Sequence, residues 1–97
     1  MSWADAAIAA LNLGHEAVVS PRGNSMTPRV KSGQHITLLP LAAGEPSKGD
    51  VVLVKVHGRV YLHLVVGLIV GRYQIGNNHG GINGWVGREA IYGKADV

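Results

Sequence analysis

The chain contains no cysteine, and only 15% of its 97 residues carry a formal charge. Without a thiol, zinc ribbons, thiolate clusters, cysteine nucleophiles, CxxC redox chemistry and disulfide staples are all excluded. A domain of this size must then be held by its core alone, and an apolar content of 46% makes that feasible. Acidic residues are scarcer than basic ones, six against nine, for a formal charge of +3. The nine cations stand singly, with only Arg22, Arg29 and Lys31 close together, so no basic run tracks a phosphate backbone and nucleic acid is not an expected partner. Long apolar runs are also missing. The longest uncharged apolar window of the second half, Val60 to Gly71, is twelve residues and contains His63, too short to cross a bilayer. Met1 to Gly14 lacks a basic n-region and carries Asp5 early, so it does not read as a secretory signal. The expectation is one soluble, cytoplasmic domain with no membrane anchor of its own, no metal and no cofactor.

What is present is mostly β pattern. Ser2-Trp3-Ala4-Asp5 has the form of an N-capping box, and the Ala-rich stretch after it, with Ile8, Leu11 and Leu13, stops at Gly14. This predicts an accessory helix over 1–14 that buries little area. From Ala17 onward short β-branched runs alternate with Gly and Pro: 17–19, 35–39, 51–56, 60–70, 72–75 and 90–92. His57-Gly58 between Val56 and Arg59 is the best hairpin signal, because Gly58 tolerates positive φ. Eight of the fourteen glycines fall between Gly67 and Gly93, and 76–84 reads as a loop by composition.

Gly23-Asn24-Ser25-Met26-Thr27-Pro28 is the most informative segment. Pro28 suits the first turn of a short helix running to about Lys31 and ending at Gly33, which places Ser25 at a strand-to-helix junction. A hydroxyl there faces unpaired amides able to hold an oxyanion, so Ser25 is a candidate nucleophile, with Gly23 and Met26 beside it for substrate approach and oxyanion binding. A serine in that position is equally an ordinary helix cap.

A serine nucleophile needs a base. Among the five histidines, His15 and His57 are expected to face water, His79 lies in the Gly/Asn loop and His35 opens a strand. His63 differs, being embedded in Val60-Tyr61-Leu62-His63-Leu64-Val65-Val66. Period-2 alternation puts Tyr61, His63 and Val65 on one face and Val60, Leu62, Leu64 and Val66 on the other. An imidazole in so apolar a strand must be hydrogen-bonded, either as a satisfied core group or as a base.

These blocks together, Gly23 to Pro28, Lys31-Ser32-Gly33-Gln34, Pro46 to Val54, Val60 to Val66, Gly76-Asn77-Asn78 and Ala90 to Lys94, resemble the S24/S26 peptidase superfamily. That superfamily includes type I signal peptidases and the self-cleaving LexA-like repressors, and the similarity covers about Val18 to Lys94. The resemblance implies a LexA/signal-peptidase-like coiled, mostly β fold with a short N-terminal helix. It carries Ser25 over as nucleophile and His63 as general base, in the Ser-His form of the family, and it implies a peptide or protein substrate bound as an added strand. The family's Arg after the histidine is Leu64 here, and its Gly-Asp-Asn-Asn block lacks the Asp. Asn83 occupies about the place of a downstream Asp, and Asn78 is the other amide available to orient the imidazole. An amide can fix a tautomer but cannot balance imidazolium charge.

Two functions follow as expectations. One is a serine endopeptidase with a Ser25–His63 dyad. The other is a peptidase-fold module that binds a protein partner or forms a homodimer through a sheet edge, with Trp3, Trp85 and Tyr92 available as contact residues.

Overall fold

Four consecutive residues of one strand, Val51 to Val54, are all buried, the pattern of a strand covered on both faces. The structure is a computed structural model describing residues 3–97. Its elements are α1 (Asp5–Asn12), β1 (Ala17–Val19), β2 (Ile36–Leu39), β3 (Val51–Val56), β4 (Arg59–Ile69), β5 (Arg72–Gly76), β6 (Ile82–Val86), a single 3-10 turn (Arg88–Ala90) and β7 (Ile91–Ala95). The chain is therefore mostly β. Seven strands form one antiparallel sheet in the order β1-β2-β7-β3-β4-β5-β6, with the C-terminal strand inserted between β2 and β3.

Side-chain alternation splits the core into two clusters. Val51 and Leu53 of β3 join Leu62 and Leu64 of β4, Ile36 and Leu38 of β2, and Ala7 and Leu11 of α1. Val52, Val54 and Val56 join Val65, Ile75, Val86 and Ile91 in the second cluster. The β4 alternation is as its sequence predicts: Val60 and Val66 pack on the first cluster, Tyr61 on the second. Each fully buried Val or Leu side chain contributes about 1.5–3 kcal/mol.

The β3–β4 hairpin also forms where expected. Val56 pairs with Arg59 across a two-residue turn in which His57 (φ 49°) and Gly58 (φ 81°) both take positive φ.

The first helix forms within the expected 1–14, with Ala4 as its N-cap; the capping box expected at Ser2 lies in part outside the described residues. Two local expectations are corrected. No helix follows Pro28. Residues 25–29 form turns closed by Thr27 N–H to Asn24 O (3.2 Å) and Val30 N–H to Met26 O (2.9 Å). The Thr27 hydroxyl also donates to Asn24 O at 2.9 Å, so a local side-chain bond takes the place of helical propagation. Finally, 82–86 is a strand and not the end of a loop, because Asn77 Oδ1 accepts from His79 N–H and Gly81 N–H and turns the chain back onto β5.

Candidate active site

Ser25 is an exposed residue in a turn with buried neighbours. Met26 and Val30 are each 3% exposed and sit in the first core cluster, so they anchor the turn from below and leave the serine at its surface. The loop after β5 grips the same turn from the side. Asn78 N–H donates to Ser25 O and Asn78 Nδ2 donates to Thr27 O, both at 2.9 Å. His79 Nε2 lies 2.9 Å from Asn24 O and 3.1 Å from Thr27 Oγ1. Because the Thr27 hydroxyl gives its own proton to Asn24 O, the His79 contact places a proton on Nε2.

His63 comes from the buried middle of β4, directly across the ladder from Val52. Its Nε2 lies 3.0 Å from Ser25 Oγ. Its Nδ1 lies 2.7 Å from Asn83 Oδ1. An amide oxygen only accepts, so the imidazole proton sits on Nδ1 and the Nε2 lone pair faces the serine hydroxyl. The Tyr61 ring stacks on the imidazole, with centroids 4.7 Å apart and planes inclined by 28°. The ring is 7% exposed, and burial pushes its pKa below the ordinary 6.5, opposed by the hydrogen bond to Asn83. The imidazole is therefore neutral at neutral pH.

Asn83 owes its position to an irregularity in β6. Ile75 pairs with Gly84 and Gly76 with Ile82, which leaves Asn83 as the extra residue of a β-bulge. Bulges re-aim a side chain that regular pleating would direct elsewhere. Gly84, at φ 145°, takes up the backbone distortion beside it.

Of the residues singled out by sequence, Ser25, His63 and Asn83 are thus brought into one hydrogen-bonded chain. Asn78 is not part of the imidazole's environment: its side-chain amide is committed to Thr27 O, so it positions the serine turn instead. Gly23 lines the cleft in front of Ser25, but its N–H is taken by Ser32 Oγ at 3.0 Å and is not aimed at an oxyanion. Glycine is required there by a φ of 109°. The Ser25 and Met26 amides have no hydrogen-bond acceptor among the described residues. No helix end assists them.

A cleft of about 350 Å³ opens in front of Ser25 and His63, between segment 20–23, the serine turn and the start of β4. Trp3 lines it, whereas Trp85 lies beside Gly67 and Tyr92 packs on the first core cluster, so these three aromatics are distributed over the molecule. The Asp50 of the Gly-Asp-Val-Val block has a local role, accepting from Ser47 N–H at 2.8 Å. Sequence reasoning missed the Thr27, His79 and Asn24 contacts and the Tyr61 stack. The period-2 spacing of Tyr61 and His63 was the available signal for the latter. Among the described residues no three His, Asp or Glu side chains gather as metal ligands would.

Comparison with known proteins yields no match to any family model, curated protein or solved structure.

Proposed function

We propose that the chain is a serine hydrolase of the peptidase type, cutting a peptide bond with a Ser25–His63 dyad oriented by Asn83. One observation carries this reading: Ser25 Oγ, His63 and Asn83 Oδ1 are linked at 3.0 and 2.7 Å with the basic lone pair turned to the hydroxyl. The likeness to the S24/S26 peptidases in the order of sequence blocks supports it independently.

In the first step Ser25 Oγ attacks the scissile carbonyl carbon while its proton passes to His63 Nε2. The Ser25 and Met26 amides, which have no acceptor among the described residues, are the candidate donors to the oxygen on which negative charge develops. Collapse of the tetrahedral intermediate breaks the C–N bond, and the leaving amine takes the proton from Nε2. Water then attacks the acyl ester, giving a proton to Nε2 that is returned to Ser25 Oγ as the acid product departs. Asn83 keeps the tautomer throughout but supplies no charge to the imidazolium, which points to slow turnover.

Incubating wild type, Ser25→Ala and His63→Ala with a diverse peptide pool and reading products by mass spectrometry tests the proposal. Cleavage by wild type alone is expected. Equal cleavage by all three, or by none, sinks it.

A second reading rests on the amide in place of a carboxylate behind His63: a peptidase-fold module that binds a protein partner without useful turnover. It expects Ser25→Ala to retain full partner binding. Loss of binding by the folded variant counts against it. Among the described residues no helix is long and apolar enough to cross a membrane.

A further inference from the structure

The six acidic residues are Asp5, Glu16, Glu45, Asp50, Glu89 and Asp96, so the two segments that build the site, 17–44 and 51–88, contain none. The same segments hold seven of the nine cations. Three of these, Arg22, Lys31 and Arg59, line the cleft in front of Ser25 and His63, and no acidic side chain does. They come from three separate places: the strand-to-turn segment, the end of the serine turn and the first residue of β4. All three are exposed and have no ion-pair partner among the described residues. Glu45 and Asp50, which flank these segments, face Lys94 at 2.6 and 4.0 Å.

We propose that the cleft selects an extended peptide carrying carboxylates within a few residues of the scissile bond, recognised by Arg22, Lys31 and Arg59. This rests on the proposed peptidase reading and adds the charge of the substrate to it. A cleft walled by one sign of charge raises the local concentration of the opposite sign and steers it inward. Arginine forks at Arg22 and Arg59 suit bidentate carboxylate binding, whereas Lys31 offers a point charge.

The test separates binding from cleavage. Fluorescein-labelled peptides with internal Glu and an amidated C-terminus, with neutral residues and a free C-terminus, and with internal Lys are titrated against Ser25→Ala by anisotropy. The same series is assayed for cleavage by wild type. Internal-Glu peptides are expected to bind about tenfold more tightly than Lys peptides, with the preference shrinking as salt rises from about 50 to about 500 mM. Arg22→Glu/Arg59→Glu, with its fold checked by circular dichroism, is expected to reverse the order. A preference confined to the free C-terminus assigns the cations to a chain-terminal carboxylate and overturns the internal-acid form. Tighter binding of a single-stranded oligonucleotide than of any peptide at equal salt overturns the substrate class. Cleavage without any charge preference overturns this proposal and leaves the peptidase reading standing. Charge-dependent, reversible peptide binding with no cleavage overturns the peptidase reading and, with it, the scissile-bond placement of the carboxylates, leaving the cations as a binding site for acidic peptides.

Discussion

Asn83 Oδ1 approaches His63 Nδ1 to 2.7 Å, closer than the 3.0 Å between His63 Nε2 and Ser25 Oγ, so the imidazole is held more tightly from behind than from in front. Asn83→Ala should free the ring to rotate and to adopt the other tautomer. The expected loss is about 10- to 100-fold in kcat with KM little changed, since a wrong tautomer costs the chemical step and not binding.

Asn83→Asp tests the same contact with opposite sign. A carboxylate facing Nδ1 favours the imidazolium, so the acidic limb of the pH–rate profile should move to higher pH. A limb that stays in place would show that residue 83 does not govern the base.

In the wild type, burial holds the His63 pKa below 6.5, and the acidic limb of kcat/KM should fall below that value. Stability follows the same group. The unfolded chain takes up the proton first as pH drops through 6.5, so acidification from there favours unfolding, whereas at higher pH both states are neutral. Denaturant titrations across that window should show a shallower loss for His63→Gln than for wild type.

Asn78 spans two points of the serine turn, with its N–H on Ser25 O and its side chain on Thr27 O. Asn78→Ala keeps the backbone bond and removes the other, at about 0.5–1.5 kcal/mol of stability. Its kcat should fall with the pH profile unmoved, because the base is untouched. Asn78→Asp keeps an oxygen facing Thr27 O and should fail to rescue, since two acceptors cannot bond.

Gly93 of β7 lies where a Cβ would come within 2.7 Å of Leu39 O and 2.9 Å of Leu11 Cδ2. The carbonyl belongs to backbone and cannot swing aside, so Gly93→Ala should destabilise by about 1–3 kcal/mol, read as a lower denaturant midpoint.

Much of this architecture is written in local pattern. The alternation from Val60 to Val66 assigns each side chain to the correct face, because successive side chains of a pleated strand point to opposite faces. His57-Gly58 reads as a two-residue turn for an equally local reason. Ser25, His63 and Asn83 are each visible as polar residues in informative surroundings. What escapes sequence is whatever depends on a distant partner. The helix expected after Pro28 yields to Thr27 and Asn24 bonding each other and His79. The β6 strand hides behind Gly80, Gly81 and Gly84, whose composition suggests a loop, yet the bulge that aims Asn83 needs such a glycine. The role of Asn78 is invisible without knowing that Thr27 lies beside it.

The insertion of β7 has a consequence for how the molecule comes together. Strands β3 to β6 follow one another as adjacent hairpins and can zip up as a local meander. Ser25 belongs to the other part, between β1 and β2, and β7 supplies the ladder joining that pair to the meander. Without β7 the chain already contains Ser25, His63 and Asn83, but no ladder joins the two parts. Strand β7 thus ties the half bearing the hydroxyl to the half bearing the imidazole, so the sheet that frames the site closes only once this strand is in place.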